Sequence, residues 1–514
     1  MRTNSVGVLW QAVQIGSIDQ PNPVNHPSRI QAIMNNKRWR SISMRLAVAL
    51  AAGVMVTTEF SEACVAAETD AGQPNILFII TDQQYIEAMS AAGNPHLKTP
   101  AMDSLAARGM RFTKSYCTYP VCTPSRASLV TSRMPHEMGI LSNQVCPGIP
   151  KDIPNMGDLF RKAGYRTAWA GKWHVPAPYP GFMSGPRAEI PGFEVLKLEG
   201  PAHRSIPNTG PGMGSDPTTT KATLKFLDQP QDRPFLLVFS LLNPHDICEY
   251  PRAPDNYPEP PAASKLPPLP ANFDAIQDEP SLLAAVRQRQ QKAKDETERA
   301  NETQWREYRW AYYHLTEVVD GLIAKVLMKL DESPYADNTL IVFTSDHGEM
   351  AGSHQLRTKN YMYEEATAVP LIICPPSKTS AAVDKRHLVS GLDILPTMCD
   401  YAGISIPESF EGASLRPLIE NLSEGTPDAW RDYLVLEIND RTEVRMVRSD
   451  RYKYIVYAKG EMREQLFDLE SDPGETSNLV RQPEMKEIVE THRNMLRQWI
   501  QQTKDTFELP QTSR

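Results

Sequence analysis

Five short β-rich segments dominate the first four-fifths of this chain, and most are apolar at nearly every position. They are residues 75–80 (NILFII), 165–170 (YRTAWA), 235–240 (FLLVFS), 340–344 (LIVFT) and 371–374 (LIIC). A strand with one wet face alternates apolar and polar side chains, whereas a strand covered on both faces does not. Helical patterns lie between the strands, over residues 100–108, 155–163 and, most clearly, 305–330. In the last of these Trp305, Tyr308, Tyr312, Leu315, Val319, Leu322, Val326 and Leu330 recur at three- and four-residue spacing. These aromatics read as core. The expected fold is therefore α/β, with a large mixed, mostly parallel sheet sandwiched by helices.

After about residue 401 the texture changes. Strand patterns succeed one another at 433–437, 443–448, 452–457 and 466–468, the run Asp472-Pro473-Gly474-Glu475 supplies a turn, and 485–501 reads as an amphipathic helix. With 514 residues, two domains are the natural expectation. We place a catalytic α/β domain over residues 68–400 and a smaller antiparallel-sheet subdomain with one helix over 401–514.

The residues just past each strand carry more information than the strand itself. The first strand runs into Asp82-Gln83, the second into Gly171-Lys172-Trp173-His174, the third into Asn243-Pro244-His245-Asp246, and the fourth into Ser345-Asp346-His347-Gly348-Glu349. Ligands of open α/β sheets bind beyond the carboxyl ends of the strands. Acidic groups, histidines and a lysine thus converge on one edge. Any one of these clusters would pass for a solvated turn; four on the same edge read as a site.

The amino terminus reads as a targeting segment. Residues 46–56 (LAVALAAGVMV) are apolar, too short to span a bilayer, and preceded by Lys37, Arg38, Arg40 and Arg45. Val65-Ala66-Ala67 fits a cleavage site, so residues 1–67 form the signal region, with Met44 a second plausible start. The expected destination is export, to the periplasm or beyond, with no stable membrane insertion. Net charge is −8 and no basic patch stands out past the signal, which argues against a nucleic-acid partner. Six of the seven cysteines fall after the signal, and an even count in an exported chain suggests disulfides. Many of the 44 prolines cluster in residues 176–217 and 244–280, which read as excursions that wall a binding site.

The run Cys122-Thr123-Pro124-Ser125-Arg126, continued by Ala127-Ser128-Leu129-Val130-Thr131-Ser132-Arg133, resembles the C-x-P-S-R signature of formylglycine-dependent sulfatases of the alkaline phosphatase superfamily. The resemblance extends from Pro74-Asn75-Ile76 to the closing Leu466-Phe467-Asp468-Leu469-Glu470-Ser471-Asp472-Pro473-Gly474-Glu475. It implies an alkaline-phosphatase-like fold and a sulfuric ester hydrolase. A formylglycine-generating enzyme would oxidise Cys122 during maturation, and the aldehyde hydrate would be the nucleophile. Asp82, Gln83, Asp346 and His347 would line a metal site to which the modified Cys122 adds an oxygen. Arg126 would hold the formylglycine, Lys172 and His174 would contact sulfate, and His245 would protonate the leaving oxygen. Lys359 matches the family's second sulfate-binding lysine.

Two positions depart from the commonest pattern of that family. Asp82-Gln83 stands where Asp-Asp is usual, and Asp346-His347 where Asp-Asn is usual, as in choline-sulfatase-like enzymes and phosphonate monoester hydrolases. Hard calcium prefers oxygen ligands and imidazole better suits manganese or zinc; calcium is the first expectation for the metal, with manganese or magnesium as alternatives. The expected substrate is a sulfated polysaccharide or small molecule; the competing readings are a phosphonate monoester or phosphodiester hydrolase and a non-catalytic binding protein. Arg187, His203, Arg204 and Arg252 are candidate contacts for an anionic sugar. Oligomeric state is not legible.

Overall fold

The first strand shows why the chain folds into layers. In β1 (Asn75–Asp82) every residue is buried: Ile76, Phe78 and Ile80 enter one hydrophobic cluster while Leu77 and Ile79 enter another on the opposite face. Side chains alternate across a strand, so both faces of the sheet must be covered. The first face is covered by residues of the helix Cys122–Thr131 and of Ile394–Tyr401, among them Ala127, Val130, Leu395 and Met398. The second is covered by the helices Ser215–Leu227 and Glu302–Asp331, through Phe226, Val319, Ile323 and Val326.

The computed structural model describes residues 72–175, 189–197, 214–274, 278–290, 300–376, 381–420, 430–440 and 442–510. The signal region falls outside them, as does most of the 176–217 excursion with Arg187, His203 and Arg204. Among the described residues the next strands in chain order are β2 (Met110–Phe112), β3 (Ser115–Tyr116), β4 (Arg166–Gly171), β5 (Glu194–Val195), β6 (Phe235–Pro244), β7 (Thr339–Ser345), β8 (Leu371–Cys374), β9 (Ala382–Asp384) and β10 (Val389–Ser390). The main sheet has eight described strands in the order β5-β4-β6-β1-β7-β8-β2-β9. Its neighbours are parallel except where β8 runs against β7 and β2. The pair β3–β10 lies apart. Then β11 (Tyr433–Asn439), β12 (Glu443–Ser449), β13 (Tyr452–Tyr457) and β14 (Glu464–Asp468) form a four-stranded antiparallel meander, against which the helix Lys486–Thr503 packs Val489 and Leu496.

The five strands read from the sequence are all present, and the eight periodic residues of the long helix are all buried. That helix starts where Asn301 and Gln304 cap each other reciprocally, at 3.0 and 2.9 Å. The strands missed by the sequence, β2, β3, β5, β9 and β10, are two or three residues long, too short to show a period. The excursion after β6 is fixed to the long helix, since Arg306 donates to the carbonyls of Ala263, Leu266 and Pro267. The expected disulfides are not formed: Cys117, Cys122, Cys146, Cys248, Cys374 and Cys399 are all free thiols. Cys374 and Cys399 sit in the two core clusters, where they act as small hydrophobes. Among the described residues no helix is long and apolar enough to cross a membrane.

Where β4 hands over to Lys172 the backbone turns through Gly171, at φ +96°, with Ser240 of the neighbouring strand directly beside its Cα. A methyl there would collide with the Ser240 carbonyl, whereas at Gly164, φ +92°, it would meet open space. Gly164→Ala is expected to cost about 1 kcal/mol of backbone strain and Gly171→Ala at least about 3 kcal/mol. Denaturant unfolding of the two variants checks this, and equal losses would contradict it.

Candidate active site

Four adjacent parallel strands, β4, β6, β1 and β7, end on one edge, and the expected residues stand at their carboxyl ends. Asp82 closes β1, Lys172 comes directly after β4, His245 after β6, and Asp346 after β7. The register explains the central pair. Thr81 lies opposite Ser345, so Asp82 and Asp346 are carried side by side. Two carboxylates brought together out of water repel, and a cation must sit between them.

Arg126 is that cation. It is buried, and its Nη2 donates to Asp82 Oδ2 at 2.9 Å while its Nε donates to Asp346 Oδ2 at 2.7 Å. Nη1 is taken up by the Lys172 carbonyl at 3.1 Å and the Ser240 hydroxyl at 2.8 Å. The geometry therefore gives Arg126 the job of clamping the two carboxylates. Lys172 Nζ adds a second ion pair to Asp82 Oδ2, at 2.6 Å.

Cys122 opens the helix Cys122–Thr131, all ten residues of which are buried. Its Sγ lies 3.1 Å from His347 Nε2, 3.3 Å from Lys359 Nζ and 3.7 Å from Asp82 Oδ1. His347 is oriented from behind, because Nδ1 donates to the Gly348 carbonyl at 2.9 Å and so turns Nε2 toward Cys122. Ligand atoms of Asp82, Cys122, Asp346 and His347 lie within 4.8 Å of one another. Two carboxylates, an inward imidazole nitrogen and an adjacent amide oxygen from Gln83 form a donor set suited to a divalent cation.

Charge in the site is set by these contacts. Burial would raise the Asp82 carboxyl, but Lys172, His245 and Arg126 hold it well below the usual carboxylate range. Burial and the neighbouring Asp82 push Asp346 up to about 6. Burial also opposes ionisation of the Cys122 thiol, as does Asp82, yet Lys172, Lys359 and His347 bring it well below the ordinary thiol value. His245 is pushed down to about 3 by burial, Lys359 and Lys172, so it is neutral at pH 7. The His174 carbonyl accepts from the Thr123 hydroxyl at 2.7 Å. Its imidazole meets Cys122 and is lowered by burial and by Lys172.

The sequence reading missed a layer behind the site. Gln83 donates from Nε2 to Glu349 Oε2 at 2.5 Å, which leaves its Oε1 to face Lys359 Nζ at 2.5 Å. Glu349 is fully buried, and its other oxygen accepts from Tyr308 Oη at 2.8 Å and the Thr358 amide at 2.6 Å. Tyr312 Oη donates to the Gln83 carbonyl at 2.9 Å, steadying a residue whose φ is +70°. Cys248 lies 3.2 Å from Gln83 Nε2. Tyr308 and Tyr312 were legible as core; their hydroxyls reaching the site edge were not. Arg252 is exposed and pairs loosely with Glu249, at 3.6 Å.

Known proteins resemble this chain over most of its length. Residues 74–404 match the family model described as Sulfatase, and residues 352–502 match one described as N-sulphoglucosamine sulphohydrolase, C-terminal. A Delta 4,5-hexuronate-2-O-sulfatase of Bacteroides thetaiotaomicron is 32% identical over 463 residues, 86% of this chain and 92% of the relative. A solved 2-O GAG sulfatase superposes with a TM-score of 0.72 at 30% identity, covering 84% of this chain and 93% of its own. The phosphonate monoester hydrolase of Agrobacterium radiobacter shares the fold, with a TM-score of 0.69 at 22% identity over 84% of this chain and 96% of its own.

Glu349→Ala is expected to release the Gln83 amide while sparing every direct donor. Affinity for calcium or manganese should fall about 10- to 100-fold, the usual cost of losing a supporting partner. Calorimetric titration of the folded variant reads this, and unchanged affinity would remove Glu349 from the support of the metal site.

Proposed function

The chain belongs to the sulfatase family, and from that premise we propose that it is an exported enzyme hydrolysing a sulfate ester of a carbohydrate, with a nucleophile made from Cys122. The observation that carries this is the position of Cys122: buried at the start of a helix, beside Asp82, Asp346 and His347, and flanked by Lys359. Oxidised to formylglycine by a formylglycine-generating enzyme, residue 122 would supply a hydrated aldehyde, and a divalent cation would lower the pKa of its attacking hydroxyl. Asp82, Asp346, His347 Nε2 and Gln83 Oε1 are the residues that would hold the cation. Calcium is the first choice on the oxygen donors, and the His347 imidazole makes manganese the alternative.

The remaining side chains divide the work. Lys172 and Lys359 present two ammonium groups to a sulfate's oxygens, which need charge stabilisation as the ester bond breaks. Arg126 keeps the two carboxylates apart and ionised. His245 stands ready to give a proton to the leaving alcohol oxygen, a role worth about 10²–10⁴ in rate. Because Lys172 and Lys359 help burial to hold it neutral in the free enzyme, the anionic ester must first offset their charge. Proton donation then comes after substrate binding. The similarity to a hexuronate sulfatase supports a sulfated carbohydrate as substrate.

A second reading, hydrolysis of a phosphonate monoester or phosphodiester by the same residues, is favoured by the pairs Asp82-Gln83 and Asp346-His347. Turnover of matched sulfate and phosphonate esters separates the two.

Protein made alongside a formylglycine-generating enzyme should show a mass loss of about 18 Da at Cys122, or a mass near the thiol for the hydrate. Mass spectrometry of a peptide spanning residues 117–126 measures it; unmodified cysteine in the native host as well would defeat the proposal. His245→Ala should slow esters with poor leaving groups by about 10² or more while activated aryl sulfates lose far less. An equal loss on both would end the acid role of His245.

A further inference from the structure

Lys359 reaches the site from a loop that Glu349 holds on one side, through the Thr358 amide at 2.6 Å, and that needs a second anchor on the other. Thr358 and Asn360 on either side of it have φ of +68° and +79°, and residues 356–363 belong to no strand or helix. The second anchor lies just beyond the loop, in a buried ionic group fed by the antiparallel meander. Lys453, on β13 and fully buried, places Nζ 2.7 Å from Glu364 Oε1 and 2.8 Å from Glu475 Oε1, and donates to the Met362 carbonyl at 3.1 Å. Glu475 also accepts from the Glu364 amide, at 2.6 Å. Glu364 Oε2 accepts from Tyr116 Oη at 2.9 Å, and Arg448 of β12 donates to the same hydroxyl at 2.8 Å. A further bond joins the loop to the approach to the nucleophile, from the Asn360 amide to the Pro120 carbonyl at 3.0 Å.

An ammonium and two carboxylates taken out of water gain little stability over an apolar filling of the same volume, but their directional bonds fix a geometry that apolar contacts leave loose. Here the geometry concerns both reacting sides. Residues 362–364 begin three positions after Lys359, and Tyr116 precedes Cys122 by six.

We propose that Lys453, together with Glu475, is a positioning residue for the reaction: the pair ties the meander to residues 362–364 and so sets where Lys359 meets the sulfate. The inference rests on the role given to Lys359 above. It predicts coupling. In mature, formylglycine-bearing protein acting on para-nitrophenyl sulfate, Lys453→Met should raise KM about tenfold with kcat changed less than about threefold. In a Lys359→Ala background the same substitution should alter kcat/KM less than about twofold, because its effect passes through Lys359. Equal losses in both backgrounds would overturn the proposal. Should Lys453→Met not fold, Lys453→Met with Glu475→Gln takes out the Lys453–Glu475 pair, leaving Glu364 with its Tyr116 partner, and serves the same cycle. Hydrogen exchange of residues 358–366, which needs no turnover, should quicken about tenfold in the folded variant; unchanged exchange also overturns the proposal. If the wild type hydrolyses no sulfate ester, the functional reading falls, and exchange still decides the strut.

Discussion

One guanidinium holds the site together. The register of β1 and β7 sets Asp82 and Asp346 next to each other at the sheet edge, and nothing in the apolar strands beneath can offset their repulsion. Arg126 spans both, with a donor on each. Deleting one partner of such a buried group leaves a bare charge, which costs about 3–5 kcal/mol. Arg126 also stands one helical turn beyond Cys122, so the clamp that tames the carboxylates also fixes the helix that carries Cys122. The positions of the carboxylates and of Cys122 are therefore tied together.

Much of this was readable from the residues because it is local. Apolar runs define the strands, and the residues closing each run name its delivery, so Asp82, Lys172, His245 and Asp346 declare themselves by sequence adjacency. The support behind them is not local. Glu349 lies 266 residues from the Gln83 it orients, and a tyrosine at a core spacing gives no sign that its hydroxyl reaches a catalytic edge. The clamp made by Arg126 was hidden for the same reason: the residues it bonds, Asp82 and Asp346, come from two strands far from it in sequence. Cysteine parity misled because two of the thiols simply fill the core beside Ile and Leu, a use that leaves no mark in spacing.

The antiparallel meander supports the site from behind through its described residues. Its inward charges, Lys453 and Arg448, point at the loop and the strand that lead to Lys359 and Cys122. Asn272, from the excursion after β6, reaches the same junction, donating to Glu365 at 2.7 Å and to the Gly474 carbonyl at 3.0 Å. Three stretches far apart in sequence thus converge behind the loop that carries Lys359. Changes in the meander can be felt as changes in catalysis although they touch no reacting atom.

The strand order has a consequence in time. β1, the first strand made, lies between β6 and β7, and its partner Thr339–Ser345 is more than 250 residues downstream. Until that segment has left the ribosome, neither Asp346 nor His347 exists to close over Cys122, and Lys359 comes later still. A growing chain therefore carries its cysteine for 225 residues before His347 is made and for 237 before Lys359 is. If residue 122 is oxidised as proposed, the topology orders the events: the thiol is most open before β7 packs beside β1.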